Sequence, residues 1–258
     1  MEIIFCIMLF AMGAVFGSFL TLAVYRIPLG LDITHERSFC PNCNHRLEFM
    51  DLIPIVSYLF LRGKCRYCGK PVRIRYLLLE VISGCVFLTA YFAFSLSFPF
   101  FKVPAVAFMI AFVMFYITNA ILLGIDKEYR SMDRRVLLFG ILTNTLYMLY
   151  LYTFSSGNLY RYGIYLGMML IVFCWDTWTL KKQKKSYYGT QMIMLLIYEI
   201  SFLDNLKMIL GMLIGSILVY VFYQFCFMKR QDKKQVPIGF CISISAILSV
   251  LIGNLVLF

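Results

Sequence analysis

The sequence predicts an all-α polytopic membrane protein with about eight transmembrane helices and a cytoplasmic four-cysteine loop between helices 1 and 2. Three observations predict it. The 258 residues are 62% hydrophobic and only 14% charged, with a mean hydropathy of +0.82, a balance foreign to a soluble domain of this length. Apolar runs of the length needed to cross a bilayer, about 20 residues, recur along the chain. Finally, 21 of the 24 lysines and arginines fall in alternate gaps between those runs.

The runs cover roughly 3–25, 76–96, 103–125, 136–154, 162–180, 188–203, 206–228 and 237–257. The first has no basic n-region, and MEIIFCIMLFAMGAVFGSFLTLAVY is long enough to span, so it reads as a retained helix and not a signal peptide. The sixth is the shortest. Basic residues crowd the odd gaps at 26–75, 127–135, 181–185 and 229–234, while the even gaps hold only Lys102, Arg161 and Lys207. Basic loops stay in the cytoplasm, so this alternation predicts eight spans with both termini outside. Removing any run, the sixth included, would break it. The net charge of +11 is therefore topological, and the expected partner is membrane lipid, with no nucleic acid. The 17% aromatic share follows from lipid contact and interfacial belts.

Of nine cysteines, Cys6, Cys85, Cys174, Cys226 and Cys241 lie inside apolar runs and read as small buried hydrophobes. The other four form two C-x-x-C pairs, Cys40 with Cys43 in CPNC and Cys65 with Cys68 in CRYC. Each pair can bring two thiolates to one ion, and two pairs give a closed tetrahedral site. The prediction is a structural zinc ion that organises the loop and leaves no open position for chemistry. The alternative is two disulfides or redox pairs, which a reducing cytosol disfavours. His35 and His45 read as ordinary loop residues. The expected organisation is helix 1 over 1–25, a cytoplasmic zinc-binding loop over 26–75, and a membrane-embedded helical domain over 76–258.

Four stretches then read together: GSFLTLAVYRIP (17–28), SFCPNCNHRL (38–47), DLIPIVSYLFLRGKCRYCGKPV (51–72) and RYLLLE (75–80). With GIDKEYRSMDR (124–134) and VPIG (236–239), the chain closely resembles the bacterial type IV prepilin peptidase family, the leader peptidase/N-methyltransferases. The resemblance implies an aspartic endopeptidase of the inner membrane that removes the basic leader from type IV prepilins and pseudopilins at the cytoplasmic face. Residues 76–258 would be its membrane-embedded peptidase domain. Many members also methylate the new N-terminus with S-adenosylmethionine. A prepilin places its leader in the cytosol and its apolar helix in the bilayer, so the acids that cut it belong at the cytoplasmic helix ends.

Aspartic proteolysis uses two carboxyl groups, one activating water and the other, protonated, polarising the scissile carbonyl. Asp126, at the end of the third run, matches the first catalytic aspartate by resemblance. The second belongs to a G-x-G-D motif opening the sixth run, where this chain reads SYYGTQM (186–192). Gly189 fits the second glycine, Thr190 stands in place of the aspartate, Tyr187 replaces the first glycine and Met192 a lysine. A threonine hydroxyl does not ionise at neutral pH. Asp176 and Glu199 are the nearby acids that could substitute, their plainer readings being an interfacial acid beside Trp175 and Trp178, and a charge partnered toward Asp204 and Lys207. Asp133 reads as a solvated loop charge. Glu80 matches a family glutamate and either pairs with Arg73 or Arg75 or serves methyl transfer. Two functions follow: an active prepilin peptidase using Asp126 and a displaced acid, Asp176, or a catalytically impaired homologue that binds prepilins as an assembly factor or only methylates.

Overall fold

A computed structural model of the chain describes residues 2–34, 37–94, 103–154, 159–183, 188–203, 205–227 and 237–256. His35, Lys102, Tyr187, Asp204, Val236 and the basic positions at 184–185 and 229–234 lie outside them. The described chain is helical apart from the cysteine loop, and it divides into two compact units, Met1–Phe101 and Lys102–Phe258.

In the first unit, α1 (Glu2–Leu29) packs along α3 (Arg75–Ala93). The seam is made of small residues, because two apolar helices gain most by bringing their backbones close. A Cβ on Gly13 would sit 2.6 Å from the Ser83 carbonyl oxygen, and one on Gly17 would sit 2.8 Å from the Glu80 Cα. Glycines four residues apart therefore set how near α3 lies. Arg26, in the last turn of α1, is buried, and its guanidinium donates to the carbonyls of Asp32 at 2.7 Å and Arg37 at 3.2 Å. This fastens the chain as it leaves the helix. Between α1 and α3 lie the cysteine pairs, a single 3₁₀ turn at Phe49–Asp51 and the short α2 (Val56–Phe60).

The second unit holds α4 (Val103–Tyr129), α5 (Arg134–Phe154), α6 (Leu159–Gln183), α7 (Tyr188–Phe202), α8 (Leu206–Phe227) and α9 (Ile238–Val256). Here α7 touches α5, α6 and α9, while α8 lies against α9. Side chains on most of the α7 surface are buried, among them Met194, Leu195, Tyr198 and Glu199. Seven helices among the described residues are long and apolar enough to cross a membrane. The remaining expected span, the sixth run at α7, has 15 residues, about 22 Å of helix against a hydrocarbon core of about 30 Å. Enclosure by its neighbours explains how a short segment keeps its helix, since burial replaces the length that lipid contact would require.

Three local expectations change. Asp133 is not a solvated loop charge but the N-cap of α5: its carboxylate accepts the Arg135 backbone N–H at 2.8 Å and the Arg135 side chain at 3.0 Å. Cys85 and Cys174 are exposed on their helices and Cys6 is half-buried, so only Cys241 of the described set is a buried hydrophobe; the Cys226 side chain lies outside the described ones. Glu199 is fully buried facing Asn119, with neither oxygen hydrogen-bonded, and is not paired with the exposed Lys207.

Candidate functional site

The cysteine loop is built twice from one turn. In each pair the first cysteine's N–H reaches the carbonyl five residues on, Cys40 to His45 at 3.0 Å and Cys65 to Lys70 at 2.9 Å. Its carbonyl accepts the N–H four residues on, from Asn44 at 2.8 Å and from Gly69 at 3.0 Å. Asn44 and Gly69 both adopt positive φ, 55° and 67°, a conformation open to asparagine and glycine. The turn curls the second cysteine back over the first. Asp51 joins the halves, accepting Arg66 Nε at 2.7 Å, the Tyr67 hydroxyl at 3.2 Å and the Glu48 N–H at 3.2 Å, while the His45 and Tyr67 rings meet at 3.6 Å. Burial beside the Asp51 carboxylate pushes the Tyr67 phenol up, keeping its proton on that hydrogen bond.

The four sulfurs converge as the two spacings require, all within 4.8 Å of one another and with Cys40 Sγ 3.9 Å from Cys68 Sγ. A tetrahedral ion with bonds of about 2.3 Å to sulfur would set its ligands about 3.8 Å apart. Charge points the same way. Burial pushes the Cys40 thiol up, but the N–H groups of Asn42 and Cys43 and the neighbouring thiols outweigh it and bring it down to about 7. Cys43 gains from the His45 N–H, yet burial and the Cys40 and Cys68 sulfurs carry it to about 11. One thiolate at neutral pH thus opposes the next, a conflict that a bound cation removes. The donor set fits one thiolate-preferring metal ion with no open coordination position.

Glu80 opens the buried face of α3, and its Oε2 accepts the Ile55 N–H at 2.7 Å instead of pairing with Arg73 or Arg75. Ile55 is strained: φ is 63° and ψ is −52°, and the Val56 N–H closes a γ-turn onto the Pro54 carbonyl at 2.6 Å. A β-branched residue there costs about 1–3 kcal/mol, so the turn persists because something holds it. The Glu80 carboxylate is that hold.

In the second unit, Asp126 and Asp176 are both fully buried. Asp126, near the end of α4, accepts the Tyr188 hydroxyl on Oδ1 at 2.7 Å and the Phe240 backbone N–H on Oδ2 at 3.0 Å. Phe240 lies in the first turn of α9, whose unpaired N–H groups favour an anion. Gly239 makes this approach possible: a Cβ there would lie 3.0 Å from Asp126 Oδ2 and collide with the Met132 methyl. Asp176 lies on the inward side of α6, while Trp175 and Trp178, 57% and 53% exposed, face outward. Its Oδ1 accepts the Thr190 hydroxyl at 2.9 Å. Arg134 Nε stands 3.8 Å from Oδ2, close enough for charge attraction and too far for a hydrogen bond, with its guanidinium 4.4 Å from the Phe173 ring.

The first turn of α7 therefore reaches both acids, Asp126 through Tyr188 and Asp176 through Thr190. The end of α4, the end of α6 and the beginnings of α5, α7 and α9 meet there. Thr190 and Asp176, singled out separately in the sequence, are in direct contact. Asp126 is not: among the described residues its oxygens meet a phenol and a backbone N–H, and no second carboxyl. Sequence reasoning missed Tyr188 and Arg134 as partners of these acids. The doubled tyrosine at the opening of an apolar run was the available signal for the first.

Residues 11–94 match the Bacterial Peptidase A24 N-terminal domain. Relatives named "Prepilin leader peptidase/N-methyltransferase" include one from Bacillus subtilis (strain 168), 37% identical over 51% of this chain and 49% of its own length. Another, from Myxococcus xanthus (strain DK1622), is 43% identical over 33% of this chain and 25% of its own. A third, from Klebsiella pneumoniae, is 39% identical over 32% of this chain and 39% of its own. The chain thus spans from a quarter to a half of the length of these relatives. No solved structure matches it. Over this N-terminal domain, with its paired cysteine turns, the chain is similar to the bacterial prepilin leader peptidase/N-methyltransferases.

Proposed function

We propose that the chain is a membrane aspartic endopeptidase that removes the leader peptide of type IV prepilins or pseudopilins at the cytoplasmic face of the inner membrane. One observation carries this reading: Thr190, in place of the second aspartate, gives its hydroxyl to the buried carboxyl of Asp176. The acid absent from α7 is replaced from α6, close to where it would have stood. Asp126 would serve as the base that takes a proton from water. Asp176, oriented by Thr190, would be the second acid, polarising the scissile carbonyl and protonating the leaving amine. The sidedness rests on the alternation of basic gaps, since the acids lie at helix ends that adjoin the basic gaps.

The four cysteines would hold a structural zinc ion, which would contribute folding free energy to the loop. Methylation of the new N-terminus, as the relatives' name implies, would take S-adenosylmethionine as a co-substrate. A second reading has its own support in Thr190 and in the engagement of both Asp126 oxygens: an impaired homologue that binds prepilins for assembly, or only methylates.

Intact-mass measurement of a synthetic prepilin incubated with the detergent-solubilised protein separates these readings. Loss of the leader is the expected result. A prepilin that stays bound and full-length, or gains a methyl group alone, would establish the second reading instead. Metal analysis of the same preparation should find about one zinc per chain, lost in Cys40→Ser. A natively folded, metal-free preparation would remove zinc from the account.

A further inference from the structure

The first turn of α7 carries no acid, yet it presents two hydroxyl donors, one to each buried carboxyl. The resemblance assigns a place to Thr190 and none to Tyr188. With the Tyr188 phenol 2.7 Å from Oδ1 and the Phe240 N–H 3.0 Å from Oδ2, the carboxyl plane of Asp126 is fixed at two points on opposite oxygens. Phe240 belongs to the backbone of α9 and cannot adjust alone, whereas the phenol approaches from another helix. Together they leave one orientation of the carboxyl. Tyr188 and Thr190 are half-buried and Gly189 between them is exposed, so the turn lies at the rim of its unit, with both acids fully buried beneath it.

We propose that Tyr188 is a positioning residue for Asp126, its phenol holding the carboxyl in the orientation that accepts a proton from the attacking water. This role rests on the endopeptidase reading. The phenol keeps its own proton throughout: the water oxygen bonds to the scissile carbonyl carbon, the water proton passes to Asp126, and the leaving amine takes its proton from the second acid as the C–N bond breaks. Tyr188 acts only through Asp126, and orientation of this kind appears in the chemical step and not in substrate affinity.

Tyr188→Phe keeps the ring and removes the donor. Steady-state cleavage of a synthetic prepilin should show kcat lowered by about 10- to 100-fold, as expected for losing a hydrogen bond to a charged group, with KM within about twofold. In an Asp126→Asn background the same substitution should add no further loss, because the group being positioned is already gone. Tyr152→Phe, on an exposed face of α5, is the control and should change neither constant. Unchanged kcat in Tyr188→Phe, or a fall that merely follows lost thermal stability, would overturn the role. If that variant does not fold, 3-fluorotyrosine at position 188 keeps both ring and hydroxyl: kcat that changes with phenol acidity at constant KM supports the role, and unchanged kcat rejects it. Cleavage that survives Asp126→Asn would reject the endopeptidase reading itself. Cleavage lost in Asp126→Asn but undiminished in Tyr188→Phe would reject only the role of Tyr188, and a wild-type chain that cuts no prepilin would reject both.

Discussion

Asp126→Asn is expected to lower prepilin cleavage by about 10²- to 10⁴-fold, the range that proton transfer by a placed side chain supplies. The substitution is nearly isosteric, and an amide oxygen can still accept one of the two donors that now fix the carboxylate, from Tyr188 or from Phe240. What it loses is the basicity that removes a proton from water. Asp176→Asn should fall into the same range, since an amide hydrogen-bonded to Thr190 cannot deliver a proton to the departing amine. Asp133→Asn sets the scale for a non-catalytic acid in this unit: asparagine caps a helix about as well as aspartate, so cleavage should stay within about twofold. Single-turnover cleavage followed by intact mass measures all three. Activity persisting in Asp176→Asn but absent in Asp126→Asn would mean that the second acid has been misassigned.

Much of this arrangement is legible in the sequence because its causes are local or periodic. The helices follow from unbroken apolar runs, and the pairing of Cys40 with Cys43 and of Cys65 with Cys68 follows from two C-x-x-C turns, the two pairs then being brought to one site by the contacts of Asp51 that join the halves. Position along the chain also marks Asp126, an acid at the end of a long apolar run. The rest depends on side chains meeting across helices, and spacing carries no information about that. Glu80 stands near Arg73 and Arg75 in sequence, which invited an ion pair, but in the fold it holds the strained turn at Ile55, 25 residues away. Gly239 reads only as the last residue of the VPIG stretch until the approach of Asp126 to α9 shows why a side chain has no room there. The pairing of Asp176 with Thr190 needed the rotation of two neighbouring helices to be known. For that reason the threonine could be recognised as a departure from the motif, and its partner could only be named among several acids.

Thr190→Asp distinguishes compensation from decay, because it restores the residue that the motif resemblance expects. Threonine and aspartate have similar volumes, so the fold should tolerate the exchange. The new carboxyl, however, would occupy the place of a hydroxyl that now lies 2.9 Å from Asp176 Oδ1. Two carboxylates at that separation cannot both remain charged, and a third acid would compete for the proton that the working pair requires. Arg134, 3.8 Å from the far oxygen of Asp176, offsets only part of that repulsion. If Asp176 has taken over the second role, Thr190→Asp should reduce cleavage by roughly tenfold or more, whereas Thr190→Ser, which keeps the hydroxyl, should stay within about threefold. If the chain is instead an impaired homologue, the wild type should cut little and Thr190→Asp should gain leader removal. The sign of the change therefore decides the matter: a loss means that evolution moved the acid from α7 to α6, and a gain means that the site had gone silent and one carboxyl was enough to restore it.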